Sequence, residues 1–548
     1  MCTLYHMKTS ALPNDLEELK QLVASLETRL AEQDDHIAKQ DGHIAKQSVL
    51  ISESQFLIET LQEQVRLLKA MQFAKSSEQQ KKTSKDEDQY YLFDEAEMVV
   101  SEDGVEPEQV KIPSHTRTKR GRKPIPSDVP RVEVVHDIPE VEKTCPCGCT
   151  LTKIGEEISE KLDIIPQKVR VIRHIRPKYA CKGCEGSASE GLSPTVKIAP
   201  MPPQLIKQGI VTPGLLAYIL VNKFCDGLPF YRQTNMFARL GIDISRSTMS
   251  NWAMLAAKAC APLQDAMCSR LHQSDIINMD ETTVQVLGEQ DRKNTSKSYM
   301  WVCCGGSLDA PVVLFRYSPS RAGEVATQML GDFKGYLQVD GYAGYNALGE
   351  REGITRVGCL AHVRRKFMDV LKAGSNKKKG VASRAVALIK DIYKLESTAQ
   401  KKKLSSDAIQ ALREEKATLL FAKLKELCTN AALRTPPKSL LGIAISYAMK
   451  QLPYVQNYLK DSRLTPDNNT AENAIRPFAV GRKNWLFSGS PSGAHASAFL
   501  YSLAESAKAA DLNPYEYLLH VFTKMPTATT PDDIEKLLPV RGMQLTTE

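Results

Sequence analysis

A chain of 548 residues is too long to close around one hydrophobic core, and 42% apolar with 25% charged residues describes an ordinary folded protein. The net charge of +8 permits nucleic acid as a partner without demanding it, so the placement of basic residues says more than their sum. No apolar run approaches the roughly 20 residues a membrane-spanning helix needs, MCTLYHMKTS lacks the apolar stretch of a secretory signal, and thirteen cysteines set mostly singly suit a reducing cytoplasm.

In chain order, residues 1–75 come first. Leu16, Val23, Leu30, Ile37, Ile44, Ile51, Ile58 and Val65 recur every seven residues, with Leu19, Leu26, Leu61 and Leu68 at the matching second core position. This series predicts a coiled coil. Gln33, Gln40, Gln47 and Ser54 weaken the middle of the seam, and DDHIAKQ followed by DGHIAKQ reads as a duplicated heptad. An amphipathic helix folded back on the body is the other reading, but so regular a repeat fits a self-associating seam better.

Residues 76–130 change sign. An acidic, polar stretch to about Glu108 has the composition of a tether, and it is followed by HTRTKRGRKPIP. Arg120 and Arg122 about a glycine resemble an AT-hook, which lies in the narrow minor groove of A·T-rich DNA. A basic linker that touches nothing has the same composition.

Residues 131–190 carry Cys145, Cys147 and Cys149, then Cys181 and Cys184. Paired knuckles can hold a structural Zn2+, although the first is compressed and leaves either Cys147 or Cys149 spare. Between them, VRVIRHIRPKY (169–179) alternates apolar with basic residues, as a half-buried strand with a cationic face would. Residues 200–268 read as helical. Within them a helix over 231–240, a turn at Gly241 and a polar helix start at Ser245 have the order of a helix-turn-helix. Ser245 or Ser247 would cap the second helix, and Arg246, Ser247, Ser250 and Asn251 could reach DNA. Plain helical packing is the rival.

Residues 270–375 turn to strands. The run 276–286 sets Asp280 and Glu281 in β-branched surroundings, and alternation lets only one of them face a given site. Strand-like runs at 298–304 and 311–317 follow, then a helix over 322–330, a strand ending at Asp340, a strand over 355–360 and a basic helix start at 361–367. This order is the ribonuclease-H-like plan, in which the first and fourth strands are neighbours and Asp280 and Asp340 can share a metal. Residues 376–466 read as an all-α insertion. In 467–493, Asn469 to Glu472 also fits a capping box, while Arg476, Arg482 and Lys483 suit phosphate contacts. Trp485 has two uses open, core packing or stacking on an unpaired base. His362, three residues after Cys359, is either an assisting or a structural histidine. Residues 494–548 predict a helical tail packed on the core.

The segments MDETTVQV, LQVDGYAGYN, GCLAHVRRKF and DNNTAENAIRPFAVGRKNWLFSG resemble the transposases of the insertion sequence 66 family. The coil, cysteine module and helical segment match as well, so the resemblance covers nearly the whole chain; the compressed first knuckle is the one departure. It implies a DDE transposase whose acidic triad is Asp280, Asp340 and Glu472, with Glu472 on a short helix that Pro477 ends or kinks. It also implies Mg2+ or Mn2+ at the triad, cleavage and strand transfer at terminal inverted repeats, and double-stranded DNA as the partner. A dimer formed through the coil, accessory proteins from the same element and a place at the bacterial nucleoid complete the expectation. The fold expected is α/β multidomain: a ribonuclease-H-like core with an all-α insertion, preceded by a coiled coil, a zinc module and a helix-turn-helix-like segment. Two other functions share these parts: a metal-dependent nuclease that cuts without joining, and a dimeric DNA-binding regulator.

Overall fold

The computed structural model describes residues 16–73, 168–180, 196–373 and 380–545. Arg120, Arg122 and the five cysteines Cys145, Cys147, Cys149, Cys181 and Cys184 lie outside them. The chain divides into two compact units, residues 103–200 and the remainder. In the smaller unit, β1 (Lys178–Ala180) pairs antiparallel with β2 (Val196–Ile198), Tyr179 opposite Lys197. The strand expected over 169–179 is therefore corrected to its last two residues and Ala180. A strand needs a partner for its backbone groups, and β2 is only three residues long. Val171 and Ile175 stand 89% and 78% exposed, so the alternation buries nothing there.

In the larger unit, α1 (Leu16–Phe73) is one uninterrupted helix, as the heptads predict. Its described core-position residues from Val23 to Val65 are 44–62% exposed, so that part of the apolar stripe is not covered by the chain's own body. Among the described residues no helix is long and apolar enough to cross a membrane.

The central sheet holds β3 (Ile276–Gln285), β4 (Lys297–Gly306), β5 (Pro311–Ser318), β6 (Gly335–Gln338) and β7 (Ile354–Val357), in the order β5-β4-β3-β6-β7. The first three form an antiparallel meander. Helix α6 (Gly323–Leu330) then returns the chain from the edge, so that β6 lies parallel to β3 and β7 parallel to β6. The adjacency expected of the first and fourth strands is thus present. Strand β7 ends earlier than expected because Leu360 already opens α7 (Leu360–Ala373).

Edge strand β5 is closed by α13 (Pro491–Ala509), part of the helical tail: the hydroxyls of Ser506 and Ser502 accept from the Val313 and Phe315 amides, each at 2.8 Å. Those outward amides would otherwise offer an open ladder. The tail continues as α14 (Pro514–Lys524) and α15 (Pro531–Glu535). Met279, Trp301, Phe315, Phe478 and Tyr501 belong to the core around the sheet, which the helices α2 (Pro213–Phe224), α3 (Phe230–Arg239), α4 (Arg246–Ala259) and α5 (Ala261–His272) extend.

A second core gathers Phe367, Ile389, Phe421 and Tyr458. It belongs to α7 and to an insertion whose described elements are all helices: α8 (Val381–Lys401), α9 (Ser406–Leu412), α10 (Thr418–Ala432) and α11 (Leu440–Val455). Arg413, 3% exposed, ties the insertion together through Glu396 and the carbonyls of Tyr458, Asp461 and Leu464. Such a buried guanidinium is tolerable only with its donors satisfied.

Candidate active site

The β3–β6 register brings the two aspartates together. Asn278 is the last residue of β3 paired with β6, opposite Gln338, and Asp280 and Asp340 each lie two residues further along. The strand expected to end at Asp340 ends at Gln338, but residues two apart along an extended chain share a face, so Asp340 comes to the side of Asp280, where its carboxylate raises the Asp280 pKa. Beyond Asp340 the chain turns sharply. Its Oδ1 accepts from the Tyr342 amide at 2.9 Å, and buried Arg356 donates to its carbonyl at 2.9 Å and to Asn346 Oδ1 at 2.7 Å. Gly341 is required here, since a Cβ would run into the Tyr447 hydroxyl.

Glu472 arrives on α12 (Asn469–Trp485). Two expectations about this helix are corrected. Asn469 is its first residue rather than its cap, and Asn468, which precedes it, makes no side-chain cap, so no capping box forms. Pro477 lies inside the helix without ending it, since α12 runs on to Trp485.

Charge sorts the acids. The Asp280 carboxyl is pushed well above the usual carboxylate range, first by burial and then by the carboxylates of Glu281, Glu472 and Asp340. Among the described residues no ion pair forms on Asp280. Glu281 points to the other face, beside Trp301 across β4. Its pKa is raised by burial too, but hydrogen bonds from the Tyr345 hydroxyl and Arg321 oppose the rise. Arg321 Nη2 lies 2.6 Å from Glu281 Oε1, and the guanidinium stacks 3.9 Å from the Tyr342 ring centroid.

His362 Nδ1 is 3.8 Å from Glu472 Oε1, and with Cys359 Sγ their ligand atoms lie within 4.8 Å of one another. The Cys359 thiol is buried, pushed up by burial, and accepts from the Asn468 amide at 3.4 Å. Arg476 sits one turn beyond Glu472, its guanidinium lowered by burial and raised by that carboxylate. Arg482 donates to the Thr282 and Thr283 hydroxyls, each at 3.1 Å, and to the Thr283 carbonyl, which commits it to β3. Lys483 is exposed. Of its two foreseen uses Trp485 adopts packing, edge-on to Phe478 at 5.4 Å with Lys223 Nζ 5.6 Å from its ring.

Away from the sheet, α3, a turn through Gly241 at φ +77° and α4 follow in the expected order. Ser245 is the cap, its Oγ accepting from the Thr248 amide at 3.1 Å. The helix buries Met249, Trp252, Ala253 and Ala256 and leaves Arg246, Ser247 and Asn251 exposed.

Asp280, raised by the carboxylates of Glu472 and Asp340 and without an ion pair among the described residues, forms with them a hard oxygen donor set of the kind that holds a divalent cation. Sequence reasoning missed Arg321, which neutralises Glu281, Tyr345, which donates to it, and the amides Asn278, Gln338 and Asn468. A signal for two of these existed: Asn278 and Gln338 each precede an aspartate by two residues, which puts all four side chains on one face.

Residues 208–496 match the model described as "Transposase IS66 family". Residues 142–185, which include the five cysteines, match "zinc-finger binding domain of transposase IS66". Residues 60–134 match "Transposase C of IS166 homeodomain", and residues 502–540 "IS66 C-terminal element". The chain is similar to the uncharacterized protein y4qI of Sinorhizobium fredii, at 32% identity over 540 residues, 96% of this chain and 97% of that protein. It is also similar to y4jD of the same organism, at 32% identity over 427 residues, 76% of this chain and 81% of that one. With y4hP the identity is 31% over 430 residues, 75% of each chain.

Proposed function

The chain belongs to the IS66 transposase family, and from that premise we propose that Asp280, Asp340 and Glu472 are the acidic triad of a centre that cleaves and joins DNA strands. The observation that carries this reading is the rise that the Glu472 and Asp340 carboxylates impose on Asp280, on which no ion pair forms among the described residues. The strand order β5-β4-β3-β6-β7, with Asp280 on β3 and Asp340 two residues past the end of the neighbouring parallel β6, supports a ribonuclease-H-like core.

Bound divalent ions would supply the positive charge that activates an attacking oxygen and stabilises the departing 3′ oxygen. The chain's own residues prepare for this. Asp280 on β3 and Asp340 in the turn just past β6 would fix two ligand positions, and Glu472 would close the set from α12. Arg476 and exposed Lys483 lie on the same helix as Glu472, where they suit the phosphate backbone. Arg482, held by β3, fixes the end of that helix. The exposed residues Arg246, Ser247 and Asn251 on α4 suit contact with double-stranded DNA at the element's ends.

The open heptad stripe of α1 is the surface a second copy would cover, which supports a dimer. Cys181, Cys184, Cys145 and one of Cys147 and Cys149 would hold a structural Zn2+, and Arg120 and Arg122 a minor-groove contact near the nucleoid. Accessory proteins from the same element would complete the assembly.

The test is incubation of the purified full chain with Mg2+ and DNA carrying the element's terminal inverted repeats. Wild type is expected to cleave and join, and Asp280→Asn, Asp340→Asn and Glu472→Gln each to fail at both steps. Variants as active as wild type would sink the triad assignment, and cutting without joining would leave the nuclease reading.

A further inference from the structure

Two of the proposed ligands lie on or just beyond adjacent strands, but Glu472 reaches them only after the whole helical insertion. A glutamate on a returning helix is as well placed as the point where that helix lands. At this point three buried amides interlock. Asn278 Nδ2 donates to Gln338 Oε1 at 3.2 Å and to Asn468 Oδ1 at 3.1 Å. Asn468 Nδ2 donates to the Met279 carbonyl at 2.8 Å, just beyond the last β3–β6 pair. Gln338 Nε2 donates to the carbonyls of Thr465 at 2.6 Å and Asp467 at 2.7 Å, gripping the segment that leads into α12. Exposure is 7% for Asn278, 1% for Gln338 and 0% for Asn468.

Two features separate this arrangement from ordinary core polarity. Asparagine is a favoured helix cap, yet Asn468 stands immediately before α12 and spends its side chain on β3 instead. A buried polar network also gains little stability over well-packed apolar side chains; what it supplies is one geometry.

We propose that Asn278, Gln338 and Asn468 form an amide clasp that positions Glu472 against Asp280 and Asp340; they are positioning residues that act through Glu472. The proposal rests on Glu472 being a metal ligand, so the test measures that separately. Mn2+ is titrated into the full chain and followed by electron paramagnetic resonance, for wild type, Asn468→Ala, Asn278→Ala, Glu472→Gln and the double variant Asn468→Ala/Glu472→Gln. Circular dichroism establishes which variants fold.

Asn468→Ala is expected to weaken Mn2+ binding about tenfold, the scale for supporting residues around a metal site. Asn278→Ala, which leaves the Asn468–Met279 bond intact, should have a smaller effect in the same direction and serves if Asn468→Ala fails to fold. The double variant should bind no more weakly than Glu472→Gln alone, because the clasp acts only through that carboxylate. Folded clasp variants that melt earlier but bind Mn2+ like wild type would overturn the proposal, as would additive losses in the double variant. Unchanged binding by Glu472→Gln would remove the premise itself, and the proposal with it.

Discussion

The two faces of β3 carry adjacent carboxylates in opposite circumstances. On one face Glu281 has a side chain only 2% exposed, yet it meets a guanidinium and a phenol that belong to the protein. On the other, Asp280 meets two more carboxylates, and no ion pair forms on it among the described residues. Both pKa values are raised by burial, so burial does not distinguish them. What distinguishes them is whether the fold supplies the neutralising charge. An acid with a resident cation is part of the scaffold, and one facing only other acids is built for a cation that comes from outside.

The sharpest way to break this contrast is activity. Asp280→Asn should lower strand cleavage by on the order of 10³-fold, whereas Glu281→Gln should stay within about tenfold of wild type, because only the first removes a proposed ligand. Equal losses in a cleavage assay would mean that the two faces are not functionally distinct.

A smaller effect is expected on stability. Arg321→Ala would strand the Glu281 charge against Tyr345 and cost about 1–3 kcal/mol in chemical denaturation. This is less than a fully buried pair would cost, because Arg321 is 43% exposed and screened by water. Adding Glu281→Gln to Arg321→Ala should recover much of the loss. A double variant no more stable than Arg321→Ala would show that packing rather than charge was removed.

The smallest effect concerns pH in chelator. The Asp280 proton affinity is higher folded than unfolded, so protonation favours the folded state. That contribution is complete below the unfolded value of about 3.9 and is lost as pH rises through the higher folded value. Metal-free wild type should therefore melt progressively earlier as pH climbs above the ordinary carboxylate range. Asp280→Asn should show a shallower dependence and melt about 2–4 °C higher at neutral pH, the shift expected for roughly 1 kcal/mol. Identical melting curves for the two proteins would remove the electrostatic account of Asp280.

The sequence by itself determined the parts that depend on local period. Heptads specify α1 without reference to anything else in the chain, and β-branched runs bounded by turns specify the order of strands from which the nearness of Asp280 and Asp340 follows. The same local logic failed wherever a distant partner decided. The alternation over 169–179 predicts a strand, but only its end finds a neighbour to pair with. Asn469 to Glu472 has the spacing of a capping box, yet the chain enters the helix one residue earlier and Asn468 turns its side chain to β3 instead.

Trp485 is equally suited by type to a base or to Phe478, and which one it meets depends on how α12 lies on the sheet. Neither the neutralisation of Glu281 by Arg321 nor the bond between Asn468 and Asn278 can be read from spacing, since the pairs are separated by long stretches of chain. Local sequence sets the period of an element and so its faces. Only the tertiary structure brings the second partner, and burial, charge compensation and the third carboxylate all require two partners.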